Sequence, residues 1–124
     1  MLRFRDGFYA DVRTEDRSRT IISYKGGVLE EIKNRMERRA FLRVYDGRLW
    51  YYAAVTDLDR LQETLDGLYA AAAENPNIED DPIVRRFERN HDALWCFRHC
   101  SVRDVPMEEK QALIRSCLPL MAEE

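Results

Sequence analysis

A chain of 124 residues is long enough for one domain with a single core. With 45% hydrophobic and 35% charged residues it reads as a globular protein, and no apolar run approaches the roughly 18 residues of a membrane span. The net charge of −3 excludes a general attraction for nucleic acid, which is bound largely by neutralising phosphates with Lys and Arg.

From Phe8 to Val55 the chain is punctuated by turn signals at Asp16-Arg17, Gly26-Gly27, Asn34-Arg35 and Asp46-Gly47. Asp-Gly favours a type I′ hairpin, because both central residues tolerate positive φ. The runs between the signals have strand length, so the spacing predicts an antiparallel meander of about five strands. Ala10 and Val12, Ala40, Leu42 and Val44, and Leu49, Tyr51 and Ala53 alternate with their neighbours and form an apolar face. The opposite face gathers Phe41, Tyr45, Trp50 and Tyr52, which is too much aromatic surface to leave in water. A cover is expected for it, from residues 83–99 or from another subunit or domain.

Thr56 or Asp57 can cap the next helix, and Leu58, Leu61, Leu65, Leu68 and Ala72 then recur at spacings of three and four, a stripe for packing on the sheet. Asn75-Pro76-Asn77 should end it. Glu79-Asp80-Asp81-Pro82 reads as an acidic loop, followed by an irregular segment or one short strand from Ile83 to Arg89. A second helix is expected from about Pro106 to Cys117, with Glu108 and Glu109 at the positive end of its dipole, and Pro119 should stop or kink it. The fold class is therefore α+β: a meander sheet, a helix on one face and a C-terminal helix. Residues 1–74 hold the sheet and first helix; residues 75–124 hold the extended segment and second helix.

Few residues carry recognisable chemistry. His91, Cys96, His99 and Cys100 are of metal-binding type, but His-x4-Cys-x2-His-Cys matches no common zinc finger or ribbon, where ligands come in pairs from two knuckles. The reading here is of buried thiols and surface histidines, with no metal site and no catalytic residue. Arg35, Arg38, Arg39 and Arg43 concentrate positive charge on one hairpin, and guanidinium suits carboxylate or phosphate. Pairing with acidic neighbours is the expected role, with Arg35, Arg38, Arg39 and Trp50 kept as binding candidates. Adjacent Glu30 and Glu31 point to opposite sides of a strand and do not form an acid/base pair. Cys96, Cys100 and Cys117 are an odd and poorly spaced set for disulfides, and residues 1–6 have no apolar leader segment, so a reducing cytoplasm is expected.

Five blocks in order carry a resemblance: Tyr9-Ala-Asp-Val-Arg13; Gly27, Leu29, Glu30 and Glu31; Arg43, Val44, Gly47 and Arg48; Thr56 to Asp59; and Val105, Glu108, Glu109 and Lys110. Together they resemble the N-terminal domain of the TldD/PmbA family, named as modulators of DNA gyrase and understood as zinc-dependent peptidases. Two departures stand out: only Met1 to Gly7 precede the first strand where the family has a helix, and Leu49-Trp50-Tyr51-Tyr52-Ala53 replaces a Trp-Gly-Phe-Ala-like strand. The family's zinc-binding His-Glu-x-x-x-His helix is not among these residues.

The resemblance implies a non-catalytic N-terminal portion of a longer peptidase concerned with peptide maturation or proteolysis. It would help shape the substrate cavity and the subunit contacts, with no cofactor of its own and zinc in the parent if that is the catalytic TldD-like subunit rather than its PmbA-like partner. Implied partners are the remainder of the parent chain, a related subunit in a homo- or hetero-oligomer, and a peptide substrate; neither nucleic acid nor membrane is implied. The alternative is a free-standing module that binds a peptide or protein through a sheet edge.

Overall fold

The structure, a computed structural model, describes residues 1–121; the end of the expected 1–124 domain lies outside the described residues. The α+β class holds, but the sheet has three strands instead of five: β1 (Tyr9–Lys25), β2 (Val28–Tyr45) and β3 (Trp50–Val55), in the order β1-β2-β3. Only two of the four expected turns reverse the chain. Gly26 and Gly27 both take positive φ, 55° and 77°, as a two-residue I′-type link requires. At Asp46-Gly47 only Gly47 does so, at 93°, and the link there is the four residues 46–49. Asp16-Arg17 and Asn34-Arg35 lie inside strands. Neither contains the glycine that a reversal uses elsewhere in this sheet, and no non-glycine residue has positive φ among the described residues.

The described residues form two compact units, the first made of Met1–Asp16 and Glu37–His91, the second of Arg17–Met36 and residues 92–121. In the first unit β2 and β3 pair antiparallel from Ala40↔Val55 to Tyr45↔Trp50. Asp57 accepts a hydrogen bond from Asp59 N–H at 3.1 Å and caps a single 3-10 turn, Leu58–Arg60, which leads into α1 (Leu61–Ala71). The helix stops four residues short of Asn75, because Ala72 is already extended.

Ala40, Leu42, Val44, Leu65 and Tyr69 form the buried core, with Ala10, Val12, Tyr51, Ala53, Leu58, Leu61, Leu68 and Ala72 packed against it. That set is the alternating strand face joined to the leucine stripe of the helix. Beyond α1, Ile78–Asp80 forms a 3-10 turn at the acidic loop and Val84–Arg86 another, so the segment from Ile83 to Arg89 takes the irregular form and not the strand.

The second unit contains the far half of the β1–β2 hairpin and α2 (Met107–Met121). Gln111 Nε2 and Arg115 Nε each donate to the Tyr24 hydroxyl at 3.1 Å, and Lys110 Nζ donates to Thr20 Oγ1 at 3.2 Å. Pro119 lies inside α2 and does not end it at Cys117. A proline this close to the last described turn removes a single i→i−4 hydrogen bond, and the helix tolerates the loss. No residue of this unit is buried among the described residues; Val28, Met36, Leu113 and Leu120 are all exposed.

Candidate functional site

Alternation along β1 and β2 puts Tyr9, Asp11, Arg43 and Tyr45 on the sheet face away from α1. There Asp11 Oδ2 accepts from Tyr9 Oη at 2.9 Å and from Arg43 Nε at 2.8 Å, and a second Arg43 nitrogen reaches the same oxygen. Both side chains of this ion pair are 22% exposed, so it is shielded from solvent far more than a surface pair. The Arg43 guanidinium also lies 4.8 Å from the Trp50 ring centroid and 5.8 Å from that of Phe87, within cation–π range.

Phe87 stacks on Tyr9 at 4.7 Å and meets Trp50 edge-on at 6.1 Å, while Trp50 stacks on Tyr45 at 4.6 Å. The result is a charged pair walled by four rings. Burial raises the Tyr9 hydroxyl above its ordinary value, and the hydrogen bond to Asp11 adds to that effect. At Arg43 its own hydrogen bond to Asp11 outweighs burial and holds the guanidinium more firmly protonated. Asp11 Oδ1 is buried and has no hydrogen-bond partner among the described residues. Chemically, the cluster can accept one more donor at that oxygen.

A second buried carboxylate, Asp46, holds the β2–β3 link. Its Oδ1 accepts from the N–H groups of Arg48 and Leu49, each at 2.8 Å, and its Oδ2 from Tyr51 Oη at 3.0 Å and Ala73 N–H at 3.3 Å. Burial by itself would raise this carboxyl, but the Leu49, Arg48 and Ala73 amides and the Tyr51 hydroxyl outweigh it and hold the group below its ordinary value. Beside it Gly47 takes a φ of 93°, which L side chains rarely adopt, and a Cβ there would stand 2.5 Å from Asn75 Nδ2, so that side chain would have to shift.

The aromatic face is covered in part, from within the chain. Ile78 and Val84 pack on Tyr45 with Tyr9 and Trp50, and Phe87 closes over Tyr9 and Trp50. Phe41 and Tyr52 stack on one another at 5.8 Å and stay 41% and 56% exposed, so the expected cover stops short of them. Among the arginines, Arg38 meets Asp16 through two bonds of 2.7 and 2.9 Å, and Arg39 meets Glu15 at 2.6 Å. Arg35 is exposed in the second unit. Trp50 is the one binding candidate that belongs to the charge–aromatic cluster.

His91 falls in the first unit, and Cys96, His99 and Cys100 in the second, around a turn at 96–99 rather than on a strand. All four are exposed, as is Cys117, which corrects the expectation of buried thiols. A ten-residue stretch from 91 to 100 without a buried position explains it: the apolar Leu94, Trp95 and Phe97 are exposed as well and offer the thiols no core.

Sequence reasoning missed the Asp11–Arg43 cluster and the Asp46 clasp. The signal for the first was the shared parity of Tyr9, Asp11, Arg43 and Tyr45 on strands that must pair. For the second it was an aspartate directly before a turn glycine, where its carboxylate reaches the following amides.

A family model described as PmbA/TldA metallopeptidase domain 1 matches residues 10–75. No curated protein and no solved structure matches the chain. That description implies a metal, and among the described residues no group of three or more His, Cys, Asp or Glu is placed to hold one. The matched residues span more than half of the chain, from the start of β1 through the Asp11–Arg43 pair and the Asp46 clasp to the end of α1, and the chain belongs to the PmbA/TldA metallopeptidase domain 1 family.

Proposed function

We propose that this chain is a non-catalytic N-terminal portion of a TldD/PmbA-like metallopeptidase that acts in peptide maturation or proteolysis in the cytoplasm. Its role is to help shape the substrate cavity and to supply subunit contacts. The observation that carries this reading is the match to the first domain of a metallopeptidase over residues 10–75. Zinc would come from another part of the parent when that parent is the catalytic subunit; its partners are then the rest of the parent chain, a related subunit and a peptide substrate. The name linking the family to DNA gyrase does not extend to DNA binding here, given the net charge of −3.

Incubation of the purified chain with unfolded peptides and added Zn²⁺ tests the reading. No cleavage is expected with or without the metal. Cleavage that follows the protein through purification and stops with a chelator overturns it.

A further inference from the structure

We propose that Cys96 and Cys100 form a redox-active pair, which closes a disulfide across the turn at 96–99 by exchange with a low-molecular-weight disulfide that carries carboxylates.

Both thiols are free and exposed, and they stand four residues apart in the chain. Residues 96–99 coil into a turn, in which Cys100 N–H donates to the Phe97 carbonyl at 3.4 Å. Coiling of this kind brings positions four apart to one side of the chain, as it does in a helix. Cys96 and Cys100 accordingly line one open pocket of about 340 Å³, together with Trp95 and Phe97. A disulfide needs Cα atoms about 4.4–6.8 Å apart. The chain is free to settle to that distance: every residue from His91 to Cys100 is exposed, and among the described residues no hydrogen bond or ion pair joins residues 94–100 to another element. Closing the bond costs the fold no buried contact.

Exposure also decides the kind of disulfide. Bonds open to solvent exchange readily, whereas structural ones resist reduction. In the reducing setting proposed for this chain the pair rests as two thiols and closes when the pool of small thiols is oxidised. The third thiol is engaged elsewhere, since Cys117 Sγ donates to the Leu113 carbonyl one turn back along α2 at 3.4 Å. From Ala93 to Arg103 the charged and basic side chains are Arg98, His99 and Arg103, all exposed, with no Asp or Glu among them. Guanidinium suits carboxylate, so an anionic disulfide is drawn to this turn.

In the reaction the thiolate of one cysteine attacks a sulfur of the small disulfide, whose S–S bond breaks and releases one small thiol. The second cysteine then attacks the protein sulfur of the mixed disulfide and releases the other. Two protein thiols are oxidised to one S–S bond, the small disulfide is reduced to two thiols, and the two protons pass to those leaving groups.

The whole chain with Cys117→Ser, equilibrated without oxygen in mixtures of reduced and oxidised glutathione and quenched with acid, tests the proposal. Both thiols should disappear together, with the loss of two hydrogens in mass and no lasting glutathione adduct. Trypsin cuts after Arg89, Arg98 and Arg103, so peptides 90–98 and 99–103 should stay joined until a reductant is added. With Cys96→Ser introduced as well, the adduct on Cys100 has no second thiol to release it and should be at least about tenfold more abundant at the same glutathione ratio. A pair that stays reduced at every ratio overturns the proposal. So do stable adducts on both cysteines, a disulfide formed between chains, or an adduct on Cys100 that Cys96→Ser leaves unchanged.

Discussion

Asp46 shows how one side chain can define a link and register its own protonation. It is 5% exposed and receives donors from Arg48, Leu49, Tyr51 and Ala73. Because these hold its folded pKa below the unfolded value, the unfolded chain takes up the proton first as pH falls. The stabilisation is therefore complete above the ordinary carboxylate value of about 3.9 and is lost as pH falls through the lower folded value. Asp46→Asn places an amide N–H₂ where a carboxylate oxygen had accepted, and should lower stability at neutral pH by about 1–3 kcal/mol. Urea melts at pH 7 and near pH 3 check both parts: the gap between wild type and variant should narrow at the acid end. A gap independent of pH would mean that the carboxylate's charge plays no part in the clasp. The dipeptide Asp46-Gly47 was legible as a turn from sequence, but the type of turn was not, because the type depends on the Ala73 and Asn75 contacts made from beyond α1.

At the level of elements, α1 is the part most fully written in the sequence. Leu58, Leu61, Leu65, Leu68 and Ala72 all join the core, and Leu65 is completely buried. Tyr69 is buried too, although the stripe did not include it. Its ring packs at 5.0 Å from Phe8 and its hydroxyl accepts from Arg5 N–H at 3.3 Å, contacts with the segment before β1 that helical spacing cannot reveal. Leu65→Ala should destabilise the first unit by about 2–5 kcal/mol, read as a lower urea midpoint. A midpoint unchanged within error would show that α1 does not dock through this residue.

The hairpin was misread for a related reason. Asp16-Arg17 and Asn34-Arg35 have turn-like composition, yet Asp16 pairs across the sheet with Arg38, and the Asn34 side chain accepts from Thr20 Oγ1 at 2.7 Å. Cross-strand partners turned local turn signals into ladder positions. The Asp11–Arg43 cluster was hidden in the same way, since its members come from β1, β2, β3 and the residue after the 3-10 turn at Val84–Arg86, and only pairing brings them together.

Over the whole molecule, burial is unequal between the two units. Among the described residues every buried one, from Ala40 to Val84, belongs to the first. The second holds the far half of the hairpin, a 3-10 turn at Val102–Asp104 and α2, but its apolar side chains Val28, Ile32, Met36, Leu113 and Leu120 are exposed. The polar contacts of Tyr24 and Thr20 with α2 are single hydrogen bonds, each with a net worth of about 1 kcal/mol. Local opening is cheapest where few apolar contacts are lost, so the two ends of one β1–β2 hairpin should differ in stability. Native-state amide exchange measures this directly. Protected amides at Leu42 and Val44 should exchange at least about tenfold more slowly than those at Ile21, Ile22 and Tyr24, a factor that corresponds to about 1.4 kcal/mol of opening free energy. Equal protection would require the apolar side chains of the second unit to be covered in solution, because hydrogen bonds at an exposed surface cannot match a core built around Leu42, Val44 and Leu65. Dilution then separates the sources of that cover: protection that falls with protein concentration comes from another copy, and protection that does not comes from the chain itself.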